Sequence, residues 1–433
     1  MRLFFNIDDK KFQLINLLND ADGFIYFKDL ASDLELDLTT VKKYINELKQ
    51  TFLDNFDQKD IDLQIINNVG VIFNHNASFN LGNLTQLLIN QTIESKLLDA
   101  MFTNKFDNIN QFSMNNFVSS STVRRKLKNL EKCLNDYHLS INLNPLEIIG
   151  NEANIRYMFY QYYWNTYGTV SWPFNIDRTT VKLQYSKWIL KHHLDSHSNN
   201  QTLAYWFAIN DQRNFIGKKL KFSEKTLLQI ISDYEFGTQI NQDKDNKLSD
   251  EWIKIFKKFS NINSQFDFEK IHILLNSIYN YYDVFHNLPL LYDGENVLSE
   301  IETSPLYRNT IDPFLKLLPL TLNDKEKFLK LNFSLLIIQY LSQNMNMNIT
   351  KYFLDVDCDN LTKNFLIKKL NARLNPEYCI SSTDNIKNAD FIITNLSSNN
   401  NKNSLYIELP ITERDIHLIK NFLIKKTTTK IIQ

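Results

Sequence analysis

Apolar residues recur every three or four positions through most of this chain, a period that predicts amphipathic helices. Two of these stretches read alike. Leu38–Leu48 is LTTVKKYINEL and Ser120–Leu130 is SSTVRRKLKNL, at an offset of 82 residues. Each runs Thr-Val, two basic residues, then aliphatic residues two and five positions after the second base. Such self-similarity marks a duplicated unit. Val41, Ile45, Leu48 and Phe52 line one helix face, and Val123, Leu127, Leu130 and Leu134 line its equivalent.

The flanks repeat as well. Phe27–Ala31 and Ile109–Ser113 stand at the same offset, each with an apolar residue (Leu30, Phe112) followed by a small one (Ala31, Ser113). Leu36 and Val118 are apolar again after a short gap. A small residue lets two helices cross closely, as a helix-turn-helix requires. Earlier helices are predicted over Lys11–Asn19 and Gln91–Phe102. Downstream, alternating β-prone residues predict hairpins over Ile61–Phe73, turning at Asn67–Gly70, and over His138–Gly150, turning at Asn144-Pro145. A hairpin behind the second helix of such a pair is a wing, so the pattern predicts two winged helix-turn-helix units in tandem.

The faces opposite the apolar stripes carry Thr39, Thr40, Lys42 and Lys43 in the first copy. In the second they carry Ser121, Thr122, Arg124, Arg125 and Lys128. These are the candidate contacts to double-stranded DNA. Hydroxyls and helix N-termini grip phosphates, and arginine reads guanine edges in the major groove. Ser or Thr at the helix start also suits an N-cap. The whole chain of 433 residues has a formal net charge of −1, and residues 1–150 are net acidic. Any attraction to nucleic acid must therefore be local. Between Ser119 and Lys132, five bases face only Glu131. The second helix is the stronger candidate, because the first has Glu47 within it and Asp37 beside it. This modest charge predicts a shallow salt dependence and a share of shape readout.

Residues 176–345 are mostly helix-patterned, including Val181–Leu194, Glu224–Tyr234, Asp250–Phe259, Phe268–Phe285 and Lys325–Leu341, with Asn241–Asp250 read as a polar loop. The last 85 or so residues alternate. Lys351–Asp357, Tyr378–Ser381, Phe391–Thr394 and Leu405–Glu408 read as strands; Asn360–Leu374 and Glu413–Lys426 read as helices. That alternation predicts a small parallel α/β layer.

Composition narrows the chemistry. The eight glycines form neither a GxGxxG nor a Walker loop, which disfavours the nucleotide-binding enzymes that use them. Cys133, Cys358 and Cys379 are odd in number and widely spaced, as expected in a reducing compartment, and no CxxC pair suggests zinc. His193, Asp195 and His197 make a weak metal set. Neither an export signal nor a membrane-length apolar run is seen, so a cytoplasmic protein is expected. No catalytic constellation, cofactor or metal is expected. His192, His193 and His197 at a helix end, with His272 and His286 in later helices, are the titratable groups of interest. At the helix end they also suit the helix dipole.

One segment carries a family likeness. Asn151–Phe174, NEANIRYMFYQYYWNTYGTVSWPF, is an aromatic helix behind the second wing that closes on Trp172-Pro173-Phe174. It resembles the Mga/AtxA family of Gram-positive global and virulence regulators, as do the tandem winged helices. The likeness is most specific over residues 10–175. It implies two helical PTS-regulation domains whose histidines (here His192, His193, His197, His272 or His286) can be phosphorylated by sugar phosphotransferases, and a IIB-like C-terminal domain that helps form homodimers. Leu203–Lys219 resembles a PTS-regulation core that keeps Arg213. It has Tyr205, Trp206 and Lys218 where related domains place histidines. Cys358 falls where a IIB subunit has its phosphocysteine, but Asp355, Asp357 and Asp359 would repel a phosphate, so a non-catalytic scaffold is expected there.

The resulting fold class is mainly α and multidomain. The expected divisions are residues 1–75 and 76–174 for the winged units, the second with its aromatic linker helix. Residues 175–260 and 261–346 are assigned to the helical PTS-regulation-like domains and 347–433 to the IIB-like domain. The expected function is a homodimeric, promoter-binding transcription regulator, by family an activator, linked to phosphotransferase proteins and not to a membrane. The alternatives are an RNA-binding antiterminator, which would begin with a β-rich domain, a phosphotransferase component, or an interaction scaffold.

Overall fold

The computed structural model describes residues 10–21, 23–168, 170–194, 201–240, 247–260, 268–286, 288–291, 293–303, 307, 311–319, 326–341, 350–378, 380–396 and 403–431. It is mainly helical, with a few small sheets. The first winged unit runs α1 (Lys10–Asp20), β1 (Phe24–Tyr26), α2 (Phe27–Asp33), α3 (Leu38–Asn55), β2 (Ile61–Ile66) and β3 (Gly70–His75). The second runs α4 (Gly82–Asn90), α5 (Ile93–Thr103), α6 (Ile109–Asn115), α7 (Ser120–Asn135), β4 (Ser140–Leu143) and β5 (Leu146–Ile149). Helix α4 went unread in the sequence.

The repeat is structural. Val41, Ile45, Leu48 and Phe52 are buried in α3, and Val123, Leu127, Leu130 and Leu134 are buried in α7. The N-caps, Asp37 and Ser119, sit two residues before the first Thr or Ser of each outward face. Asp37 accepts the Thr40 N–H at 2.9 Å, and Ser119 Oγ accepts the Thr122 N–H at 3.1 Å, which satisfies donors that a helix start leaves open. The first wing is an antiparallel sheet in the order β1-β3-β2. Asn67 and Asn68 turn its hairpin at φ +47° and +58°, a region asparagine tolerates. Gly70 is required beside it: a Cβ there would lie 2.3 Å from the Ile25 carbonyl oxygen.

Helix α8 (Glu152–Tyr167) follows the second wing. Fourteen of its sixteen residues are buried, the signature of a helix wrapped on all sides. Its tyrosines keep their hydroxyls paired, Tyr162 with Ser95 Oγ (2.7 Å), Tyr163 with Asp99 Oδ1 (3.0 Å) and Tyr167 with Asn90 Oδ1 (2.7 Å). Trp172 and Phe174 stack edge-on against Tyr205.

Tyr205 lies in the helical middle, which comprises α9 (Arg178–Lys191), α10 (Gln201–Phe215), α11 (Glu224–Phe236), α12 (Lys247–Ser260), α13 (Phe268–Val284), α14 (Gly294–Thr303), α15 (Asp312–Leu315) and α16 (Lys327–Leu341). Helix α12 reaches back to Lys247, so the polar stretch read as a loop over Asn241–Asp250 is helical in its second part; residues 241–246 lie outside the described residues. The second winged unit, α8 and the middle share one continuous apolar core, whereas the first winged unit has its own.

The C-terminal part is β6 (Thr350–Asp355), α17 (Asn360–Tyr378), β7 (Ile380–Ser382), β8 (Phe391–Thr394), β9 (Ser404–Tyr406) and α18 (Glu413–Ile431). Its sheet is parallel in the order β7-β6-β8-β9 over a separate core. Tyr378, read as the start of a strand, ends α17 instead. This layer touches both the helical middle and the first winged unit. Asp357 accepts the backbone N–H groups of Gln201 (2.9 Å) and Thr202 (3.2 Å) at the start of α10. Arg414 donates to the carbonyl and side-chain oxygens of Asn19, both at 2.9 Å. Among the described residues no helix is long and apolar enough to cross a membrane.

Candidate nucleic-acid interface

The two recognition-type helices differ in what their bases do. In α3, Lys42 is half-buried with its ammonium 5.6 Å from the centre of the Phe27 ring. Lys43 is exposed but 3.9 Å from Glu47, which Lys11 also grips at 2.6 Å. That Lys11 hydrogen bond holds the Glu47 carboxyl below its usual range. Thr39 is exposed, and the Thr40 hydroxyl donates to Asp37 at 2.6 Å. The Thr40 hydroxyl in turn lowers the Asp37 pKa, keeping a negative charge at the helix start.

In α7 the division of labour is cleaner. Lys126 is bound inward, 2.7 Å from the buried Glu94 of α5, and pins the helix to its support. Arg124, Arg125 and Lys128 are exposed, and none has an ion pair among the described residues. Ser121 and Thr122 cluster their hydroxyls on Ser119 Oγ at 2.9 and 2.8 Å. Residues 108–130 contain no Asp or Glu and four bases. The same window of the first copy, 26–48, holds five acids and three bases. All nine predicted contacts lie on α3 and α7, with Thr40, Lys42 and Thr122 half-buried, and of the predicted bases only those on α7 are exposed without an ion pair among the described residues.

Residues 77–163 match the family described as "Mga helix-turn-helix domain". That match covers about a fifth of the chain and includes its second winged unit. It is 27% identical over 224 residues to "Capsule synthesis positive regulator AcpA" of Bacillus anthracis, an alignment covering 50% of this chain and 44% of that protein. It is 21% identical over 223 residues to "Capsule synthesis positive regulator AcpB" of the same organism, covering 50% and 45%. The chain therefore spans under half the length of these curated relatives. The matched Mga segment contains α7 and ends within α8.

Sequence reading missed how this matched segment is fastened. Arg156 of α8 is fully buried. It donates to Glu152 Oε1 (3.0 Å), Asn210 Oδ1 (2.7 Å), Asn214 Oδ1 (2.9 Å) and the Lys218 carbonyl (3.0 Å). Arg213 of α10 takes both oxygens of Glu152, at 2.8 and 2.7 Å. The Lys218 ammonium pairs with Glu147 on wing strand β5. Wing, linker helix and helical middle thus share one ionic cluster. The available signal was Arg213 in the PTS-regulation-like segment; its carboxylate partner, 61 residues away, had none.

The histidines are scattered. His192 caps the end of α9, where partial burial, with Lys191 and Lys225 nearby, lowers its pKa. His193 beside it is exposed. His272 has both ring nitrogens engaged, by Asp250 (3.2 Å) and Asn276 (3.2 Å). His286 is exposed against the Tyr282 ring. His197 and Asp195 lie outside the described residues. Among the described residues no three His, Cys, Asp or Glu side chains converge as a metal site.

Cys358 is buried, and burial, reinforced by Asp359, pushes its thiol pKa well up. A thiol held protonated is a poor phosphoryl acceptor. Its acidic neighbours have structural work. Asp357 binds the start of α10, and Asp359 caps α17 through Thr362 (N–H at 3.0 Å, hydroxyl at 2.7 Å).

Proposed function

We propose that this chain is a transcription regulator that binds double-stranded DNA at promoters, inserting α7 of its Mga domain into the major groove. The observation that carries this reading is the acid-free stretch 108–130, on which Arg124, Arg125 and Lys128 stand exposed and without ion pairs. Ser121, Thr122 and the α7 N-terminus supply phosphate contacts, and Arg124 or Arg125 reads base edges. Helix α3, with Thr39, Thr40, Lys42 and Lys43, makes a weaker second contact because its bases are already engaged.

The sign of regulation in this reading is activation, in keeping with two relatives named positive regulators. The reading extends to a cytoplasmic homodimer whose helical middle takes input from phosphotransferase proteins. Its support is the family resemblance and the exposed imidazoles of His193 and His286.

The test is a gel-shift titration of the full chain on duplexes it selects from a random pool. Arg124→Ala with Arg125→Ala should weaken binding by tenfold or more with an unchanged melting transition. Equal affinity would remove α7 as the reading helix, and failure to select any duplex would remove the DNA reading itself. Selection of RNA in place of DNA would favour the antiterminator alternative.

A further inference from the structure

The turn between α6 and α7 presents a phenyl ring to solvent. Phe117 is 98% exposed and Met114, three residues earlier, is 77% exposed. Single exposed apolar residues are ordinary. Phe117 is unusual in a second respect: it holds φ at +54°, in the left-handed region that a bulky side chain disfavours. The turn itself does not require a ring, because Glu35 fills the same place in the first copy at φ +51°. Solvent and backbone both count against phenylalanine here, and such outliers gather at binding sites. The backbone is fixed on both sides of it, by Asn116 N–H to the Phe112 carbonyl (3.0 Å) and Val118 N–H to the Ser113 carbonyl (3.1 Å).

The surroundings say what kind of surface covers the ring. Phe117 stands two residues before the Ser119 cap, inside the stretch that has four bases and no acid. A protein surface that met it would need an apolar patch rimmed with carboxylates. DNA combines polyanionic edges with one apolar group on the major-groove floor, the C5-methyl of thymine. In a docked helix-turn-helix the start of the recognition helix meets the base edges, which brings the preceding turn to the groove. We propose that Phe117 is a specificity-determining residue that packs its ring on a thymine methyl next to the bases read by α7. The inference rests on the DNA reading above and adds a base preference to it.

The experiment uses the full chain and its selected duplexes, replacing each thymine in turn by uracil, which removes only the methyl. One position should lose roughly fourfold in affinity, the scale of one buried methyl group. Phe117→Ala should bind the thymine duplex about as weakly as the native chain binds that uracil duplex, and should be indifferent to the replacement. Phe117→Leu should keep part of the preference, and a melting curve checks that both variants fold. Three outcomes overturn the proposal: no uracil position matters, Phe117→Ala stays as sensitive as the native chain, or Phe117→Ala binds DNA normally. In each of these the native chain still selects DNA and responds to Arg124→Ala, so the broader reading survives. If Phe117→Ala instead loses only binding to an acidic protein, the ring serves that protein and the proposal falls. A chain that selects no duplex at all removes both readings.

Discussion

Arg213 clasps Glu152 through two hydrogen bonds, at 2.8 and 2.7 Å, and so ties helix α10 to the first turn of α8. Arg156 shares the same carboxylate, and its second acid, the more exposed Glu224, is 3.9 Å away, so both buried guanidiniums lean mainly on Glu152. Removing the acid takes the nearest carboxylate from both cations. Glu152→Ala should cost about 3–5 kcal/mol, the usual penalty for an uncompensated buried charge. Arg213→Met leaves Glu152 paired with Arg156 and should cost clearly less. Denaturant melts of the two variants check the order; Arg213→Met as the more damaging change would contradict it.

Asp99 gives a pH prediction. Burial raises its carboxyl to about 6, against the opposing hydrogen bonds of Tyr163 and Tyr162. Between the ordinary value of 3.8 and about 6 the folded state therefore binds more protons than the unfolded one. Stability from this group falls as pH rises through that window. Asp99→Asn mimics the protonated form and still accepts from Tyr163. It should stabilise the protein by about 1–3 kcal/mol above pH 7 and not at all near pH 4. Melts of both proteins across that range test it, and a constant difference would assign the effect to packing.

The buried, protonated thiol of Cys358 predicts slow chemistry. In the folded protein iodoacetamide should label the half-exposed Cys133 well before Cys358, and mild denaturant should abolish the difference. Peptide mass mapping reads this directly. Rapid native labelling of Cys358 would show an open site.

Asp357 caps a helix that belongs to another part of the chain. Asp357→Ala should cost about 1–2 kcal/mol and speed amide exchange at Gln201 and Thr202. Unchanged exchange at those two amides would mean that the contact does not hold α10.

The Lys218–Glu147 pair is partly exposed, so solvent screening keeps its stability contribution under about 1 kcal/mol. Its consequence should be local. Lys218→Met should raise exchange in the β4–β5 hairpin severalfold with little change in melting temperature, and a large loss of stability would contradict the assignment.

The winged units were legible because their determinants are local. A period of buried Val41, Ile45, Leu48 and Phe52, repeated 82 residues on, fixes helix faces through backbone geometry alone. The Asn67-Asn68 turn and the alternation around it fix the hairpin in the same way. The C-terminal strand and helix sequence was legible too, within a few residues at the ends. Helix α4 was not, since its buried Leu84, Thr85 and Ile89 mix polar with apolar in a short span.

The sequence by itself therefore determined the duplicated unit, the parallel layer and the residues on the outward faces of α3 and α7. The tertiary structure alone decided which bases remain available. Lys11 reaches Glu47 and Lys126 reaches Glu94 only after separate helices pack, and charge pairing depends on distance in space, to which periodicity along the chain is blind. The same is true of Glu152, Arg156 and Arg213: three charges scattered over 61 residues become one buried cluster because α8 and α10 bury their sides against each other.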